Sequence, residues 1–121
     1  MKRIQRKRTK GWKMPENTKY VGRPTKWGNP FTYEKSGNRF EIKTDGSFYA
    51  DKTRVSYCKY YANNETKAKE AIIFLYRNFI KEKIMRENLF NELEKLRQKN
   101  LACFCSLSEP CHVDVLLELL A

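Results

Sequence analysis

Leu101-Ala-Cys-Phe-Cys105-Ser-Leu-Ser-Glu-Pro110-Cys-His-Val-Asp-Val115-Leu-Leu-Glu-Leu-Leu120 runs almost to the end of a 121-residue chain. Its opening, Leu101 to Phe104, reads as a short strand. From Cys111 onward Val115, Leu116, Leu119 and Leu120 follow the three-four spacing of one buried helix face, so the spacing predicts a helix over Cys111 to Leu120. Ser106, three residues before Glu109, or Ser108 is the expected cap. A strand, a loop and a helix in this order point to an α/β domain. In open α/β sheets, ligands gather at the carboxyl ends of strands, beside helix N-termini. Cys105 falls at such a strand end, and Cys111 with His112 falls in the first helical turn.

Working back along the chain, Glu65 to Met85 carries Ala68, Ala71, Ile72, Leu75, Tyr76, Phe79 and Ile80 on one helical face, with Asn64 or Thr66 as cap. Asn88 to Gln98 reads as a second helix capped by Asn88, with Leu89, Leu93 and Leu96 inward. Phe31 to Tyr61 is rich in aromatic and β-branched residues and broken at Ser36-Gly37-Asn38 and Asp45-Gly46. It suggests a β-hairpin or meander, with Arg39–Thr44 paired to Ser47–Tyr49 across Asp45-Gly46. Lys2 to Arg8 and Lys19 to Arg23 are candidate strands. Pro24, Gly28 and Pro30 exclude regular helix between them. The expected architecture is one α/β domain over residues 1–121: a small mixed sheet, about three helices, and a β-rich excursion over 32–64. No apolar run approaches a membrane span, and no apolar segment follows the basic N-terminus, so a soluble cytoplasmic protein is expected.

Three of the four cysteines and the single histidine fall within ten positions, 103 to 112. In an extended segment Cys103 and Cys105 point to the same face. A five-residue loop then brings Cys111 and His112 round to meet them. Three readings stay open. Cys103, Cys105, Cys111 and His112 form a zinc site, although neighbouring Cys111 and His112 are an awkward ligand pair. Alternatively Cys111, with His112 or Cys105 beside it, is a reactive thiol favoured by the helix dipole. Or the cysteines are small buried hydrophobes. Cys58 stands apart and reads as structural.

The net charge of +11 is concentrated at one end. Residues 1 to 27 hold ten Lys or Arg against one acid, Glu16, while the other 94 residues hold fifteen bases and thirteen acids. Such a cluster is an electrostatic footprint for phosphate. The segment also contains Ile4, Trp12, Met14, Tyr20 and Val21, which a merely solvated tail would not usually carry. Within Tyr20-Val-Gly-Arg-Pro-Thr-Lys-Trp-Gly-Asn-Pro-Phe31, Arg23 offers a planar fork for phosphate and Lys26 adds charge. Trp27 is a candidate to stack on a base, and Asn29 to read a polar ring edge. Arg6 and Arg8, two apart, share a strand face. Gln5 completes the candidate set but would face the other side.

Gln5-Arg6-x-Arg8, Gly11-Trp12, Pro15, Tyr20-Val-Gly-Arg-Pro with Trp-Gly-Asn-Pro-Phe31, and Leu101-Ala-Cys-Phe-Cys with Cys111-His112-x-Asp114-x-Leu116 together resemble a small domain family of unknown function from bacteriophages and bacteria. The resemblance covers both ends and leaves 32 to 64 without a motif. It implies a phage-encoded or bacterial intracellular protein whose basic loop and Cys/His cluster form one functional unit. It supplies no reaction. The leading expectation is therefore binding of a nucleotide or nucleic acid by Gln5, Arg6, Arg8, Arg23, Lys26, Trp27 and Asn29, closed by the Cys/His cluster with or without zinc. An enzyme acting on a nucleotide or base through Cys111, His112 or Cys105 is a second class. A phage protein that blocks a host protein is a third.

Overall fold

Leu101, Ala102 and Cys103 are all buried, the mark of a strand covered on both faces, as parallel sheets usually are. A computed structural model describes residues 2–23, 25–44 and 60–121. Along it run β1 (Arg3–Gln5), β2 (Thr18–Tyr20), β3 (Phe31–Ser36), β4 (Arg39–Thr44), β5 (Tyr60–Ala62), α1 (Glu65–Arg86), α2 (Phe90–Lys95), β6 (Asn100–Cys103) and α3 (His112–Leu120). Among the described residues, two three-stranded sheets and three helices make a mixed α/β fold. In the first sheet β6 lies between β1 and β2 and is parallel to both, with Gln5 opposite Cys103 and Tyr20 opposite Ala102. The second is antiparallel, β3-β4-β5.

Both N-terminal strands are shorter than their sequence suggests, because β6 is short. The Arg6 amide donates to the Cys103 carbonyl and the Val21 amide to the Ala102 carbonyl, and the ladder ends there. The hairpin turns at Gly37-Asn38 and pairs β3 with β4. The expected Asp45-Gly46 turn, its Ser47–Tyr49 strand and Cys58 lie outside the described residues.

Helix α1 starts at Asn64, whose side-chain oxygen accepts from the Lys67 amide at 2.8 Å. Ala68, Tyr76, Ile80 and Ile84 are its buried residues. Ala68 packs with Ile42 and Ala62 against the antiparallel sheet. Tyr76, Ile80 and Ile84 join Leu101, Val113, Leu116 and Leu120 in the main core. One helix spine thus holds the two sheets. Its end corrects the sequence reading. Asn88 does not cap the second helix but sits in the left-handed region at φ 52° and stops the first. The Leu89 amide reaches back to the Ile84 carbonyl at 2.9 Å and the Asn88 amide to that of Met85, with Leu89 and Ile84 both buried. These are the bonds and the apolar contact of a Schellman stop.

The cap of α3 is a second correction. Ser106 and Ser108 bond to each other, hydroxyl to hydroxyl, at 2.9 Å. Cys111 is the N-cap residue, and the Asp114 carboxylate accepts its amide at 3.2 Å. The Ser106–Glu109 segment is spent on its own turn, closed by the Glu109 amide on the Ser106 carbonyl. No described helix is long and apolar enough to cross a membrane.

Candidate functional site

Because β1, β6 and β2 are parallel, their carboxyl ends lie along one edge. That edge brings together Arg6, Cys103 to Cys105, and Val21 to Arg23, and the amino end of α3 adds Cys111 and His112. The two ends of the chain therefore meet, as the one-unit expectation requires. A groove of about 450 Å³ opens here, with Arg8, Tyr20, Arg23, Phe104, Cys105 and His112 in its walls and Cys103 and Cys111 beside them.

Three sulfurs, of Cys103, Cys105 and Cys111, all lie within 4.8 Å of one another. Cys103 and Cys111 are buried free thiols, 2.9 Å apart sulfur to sulfur, while Cys105 is half-buried. This set could hold a metal ion. Electrostatically the three act as one titrating unit. Hydrogen bonds from the Cys103 and Cys111 thiols, aided by the charge of Arg3, favour thiolate at Cys105 and outweigh burial. Giving those hydrogen bonds drives the other two thiols upward, Cys111 furthest.

His112 is buried and oriented from both sides. Its Nε2 lies 2.9 Å from the Val21 carbonyl. A carbonyl only accepts, so Nε2 carries the proton and Nδ1 of the neutral ring faces the Cys111 sulfur at 3.6 Å. Burial holds the imidazole below its usual pKa. The Tyr76 ring meets its edge at 5.2 Å between centroids. Tyr76 in turn donates its hydroxyl to the Trp27 carbonyl at 2.6 Å, so α1 braces the basic loop and the histidine together.

The candidate phosphate ligands divide into two groups. Arg6 and Arg8 do share a side. The Arg6 guanidinium lies over Tyr20 and Phe104, at 4.6 and 5.2 Å from the ring centroids, and Arg8 lies over Phe104 at 4.4 Å. Arg23 is at the groove, but its fork is partly spent on its own loop, donating to the Asn29 carbonyl at 2.6 Å and the Phe31 carbonyl at 3.1 Å. Trp27 is only 3% exposed and belongs to the core, so its ring has no open face for a base. Asn29 is buried with its amide engaged, accepting from the Phe31 amide at 2.9 Å and donating to the Ile72 carbonyl at 3.3 Å. Lys26 lies away from the groove lining and pairs with Glu92 at 3.8 Å. Gln5 is half-buried opposite Cys103 and is not among the groove residues.

Sequence reasoning missed Arg3, Tyr20 and Phe104. Arg3 holds the whole Cys loop: it donates to Asp114 at 2.9 Å and to the carbonyls of Ser106 and Glu109 at 2.8 Å each. The only signal available was its membership of the basic Lys2 to Arg8 segment, which does not single it out from its neighbours. Half-buried Tyr20 and exposed Phe104 meet edge to face at 5.8 Å and supply the accessible aromatic surface that Trp27 does not.

The family model for a domain of unknown function, DUF4326, matches residues 4–121. The chain belongs to this family. The match embraces the described strands and helices, save Arg3 at the start of β1, and every residue of the groove and the sulfur cluster. No curated protein and no solved structure matches the chain.

Proposed function

We propose that this chain binds a phosphate-bearing ligand, a nucleotide or a nucleic acid, in the groove between the basic N-terminal segment and the Cys/His cluster. The observation that carries the reading is the groove itself. It joins cationic forks, accessible aromatic rings and a Cys/His wall at the strand ends where α/β folds bind ligands. Its volume of about 450 Å³ lies within the usual span of small-ligand sites. Arg8 and Arg23 of the groove serve phosphate, with Arg6 stacked beside them on Tyr20 and Phe104, and Tyr20 with Phe104 takes the stacking role first expected of Trp27. Phe104 is 37% exposed, enough to offer a face or edge to a base. Further bases at Lys7, Lys10 and Lys13 favour a polymer over a single nucleotide. In this reading zinc is the ion suited to the cluster, since thiolate donors select it. A phage-encoded protein of the bacterial cytoplasm fits such a partner.

The test is oligonucleotide binding measured against salt. Each neutralised phosphate contributes about 0.7 to the log–log slope for single strands, so engagement of three or more bases gives a slope steeper than about −2. Phe104→Ala is expected to weaken binding roughly 5- to 100-fold. A flat salt response removes the reading.

A second reading is favoured by one observation: Cys105 is half-exposed in the groove wall with its thiolate favoured. In an enzyme acting on a nucleotide or base, Cys105 rather than buried Cys111 would be the attacking group, with His112 in the same groove lining. Cys105→Ser would then abolish turnover with ligand affinity kept.

A further inference from the structure

The sulfur cluster has more order than packing requires. Buried cysteines used as small hydrophobes have no reason to converge. Here two come from the end of β6 and its continuation, and the third is the N-cap of α3. The converging sulfurs also sit at a helix amino end, where the dipole favours anions. The loop between them is clamped at both ends by one guanidinium, Arg3, through the Ser106 and Glu109 carbonyls. Such outer contacts hold ligands in place.

Ligand count decides what kind of site this is. Among the described residues, the donor set whose atoms all lie within 4.8 Å of one another is three sulfurs. His112 is not in that set. Its Nε2 is committed to Val21, and its Nδ1 approaches Cys111 alone, at 3.6 Å. Four protein ligands close a tetrahedral site, whereas three leave a position for water or substrate. All three cysteines lie along the groove.

We infer that Cys103, Cys105 and Cys111 bind one thiophilic divalent cation of the zinc class through three thiolates, with its fourth position open to the groove. Water fills that position, or a donor atom of the groove's occupant does. The identity of that occupant rests on the ligand reading above; the metal site does not. On binding, the thiols that are still protonated release their protons to solvent and all three sulfurs take the metal bonds. Zinc–sulfur bonds of about 2.3 Å at tetrahedral angles put sulfurs about 3.8 Å apart. Cys103 and Cys111, now at 2.9 Å, separate by about 0.9 Å to accept the ion.

The experiment uses the reduced full-length chain and cobalt(II) alone, with no nucleotide present. One equivalent is expected to give thiolate-to-cobalt charge-transfer absorption and the intense visible bands of a tetrahedral ion. Azide, a small exogenous donor, is expected to shift those visible bands, because it enters the open position. His112→Ala is expected to leave the wild-type spectrum unchanged in shape, while each Cys→Ser variant weakens uptake at least about 100-fold. Absence of one-equivalent cobalt uptake by the folded wild-type chain overturns the site. Uptake with no response to azide, or a His112→Ala spectrum with displaced bands, overturns the open position in favour of a closed four-ligand site. The azide measurement needs no variant, so misfolding of a cysteine or histidine mutant does not blunt it. Loss of salt-dependent oligonucleotide binding would sink the ligand reading and leave the cobalt result standing.

Discussion

Replacing Arg3 by methionine tests how the site is held. Methionine keeps an unbranched stem along β1 but cannot donate. Three contacts go: the two carbonyls of Ser106 and Glu109, at 2.8 Å each, and the Asp114 carboxylate at 2.9 Å. The Arg3 side chain is only 9% exposed, whereas Asp114 is 49% exposed. The carboxylate therefore recovers water when its partner leaves, and that pair contributes only about 0.5 kcal/mol. A charge-assisted hydrogen bond contributes about 1.5–3 kcal/mol when sheltered. The Ser106 contact is partly buried and the Glu109 contact exposed, so both fall at or below the low end of that range. The expected loss is about 2–3 kcal/mol. With a urea m-value of about 1.5–2 kcal/mol/M, the unfolding midpoint drops by roughly 1–2 M. Lysine at this position keeps the charge but not the fork, and is expected to restore less than half of the loss. A second readout locates the effect: freeing the Cys loop should raise the reaction rate of Cys105 with a disulfide reagent in native buffer. A midpoint change below about 0.3 M, corresponding to roughly half a kcal/mol, would refute the idea that Arg3 ties the N-terminal strand to the Cys/His loop.

Two further substitutions probe the loop. Trp27→Ala should destabilise by about 3–5 kcal/mol through the cavity it leaves, while the milder Trp27→Phe keeps oligonucleotide affinity within about threefold of wild type; a large affinity loss in the phenylalanine variant, with the fold intact, would return Trp27 to the binding surface. Gly22→Ala would place a Cβ 2.5 Å from the Tyr20 hydroxyl, which donates to the Arg23 carbonyl at 2.7 Å, so Tyr20 must swing away from the groove at a cost of about 1–3 kcal/mol; unchanged urea stability would show that the ring moves freely and contributes no fixed wall.

What was readable in the sequence follows from how local each signal is. Helix α1 announced itself through side chains three and four apart, and its Asn64 cap needs only the next three residues. The strand-loop-helix at the C-terminus was equally local. Asn88 and Ser106 were misread because each is a residue type with two uses. Asn caps a helix start or adopts the left-handed conformation that ends one, and the choice was made by burial of Leu89 against Ile84. Trp27 and Asn29 looked like ligand-reading groups because a loop rich in Gly and Pro is usually exposed. Here α1 lies against that loop, so Tyr76 takes the Trp27 carbonyl and Ile72 takes the Asn29 amide. Neither partner could be located from spacing along the chain.

The order β1-β6-β2 gives the union of the two ends a stronger basis than proximity. Strands β1 and β2 precede β6 by roughly 80 residues or more and do not pair with each other; each is hydrogen-bonded to β6. The basic segment thus has no sheet of its own until Asn100–Cys103 arrives between its two strands. The same short strand then delivers Cys103 into the sulfur cluster and Phe104 under the guanidinium of Arg8. Arg3 adds a lateral tie from β1 to the first turn of α3, at Asp114. Positive charge, aromatic surface and thiols are therefore coupled through backbone pairing: a shift in the register of β6 by one residue would turn Cys103 to the other face and break the sulfur triad. A chain needing only a solvated basic tail and a separate core of cysteines would have no cause to route both through one four-residue strand.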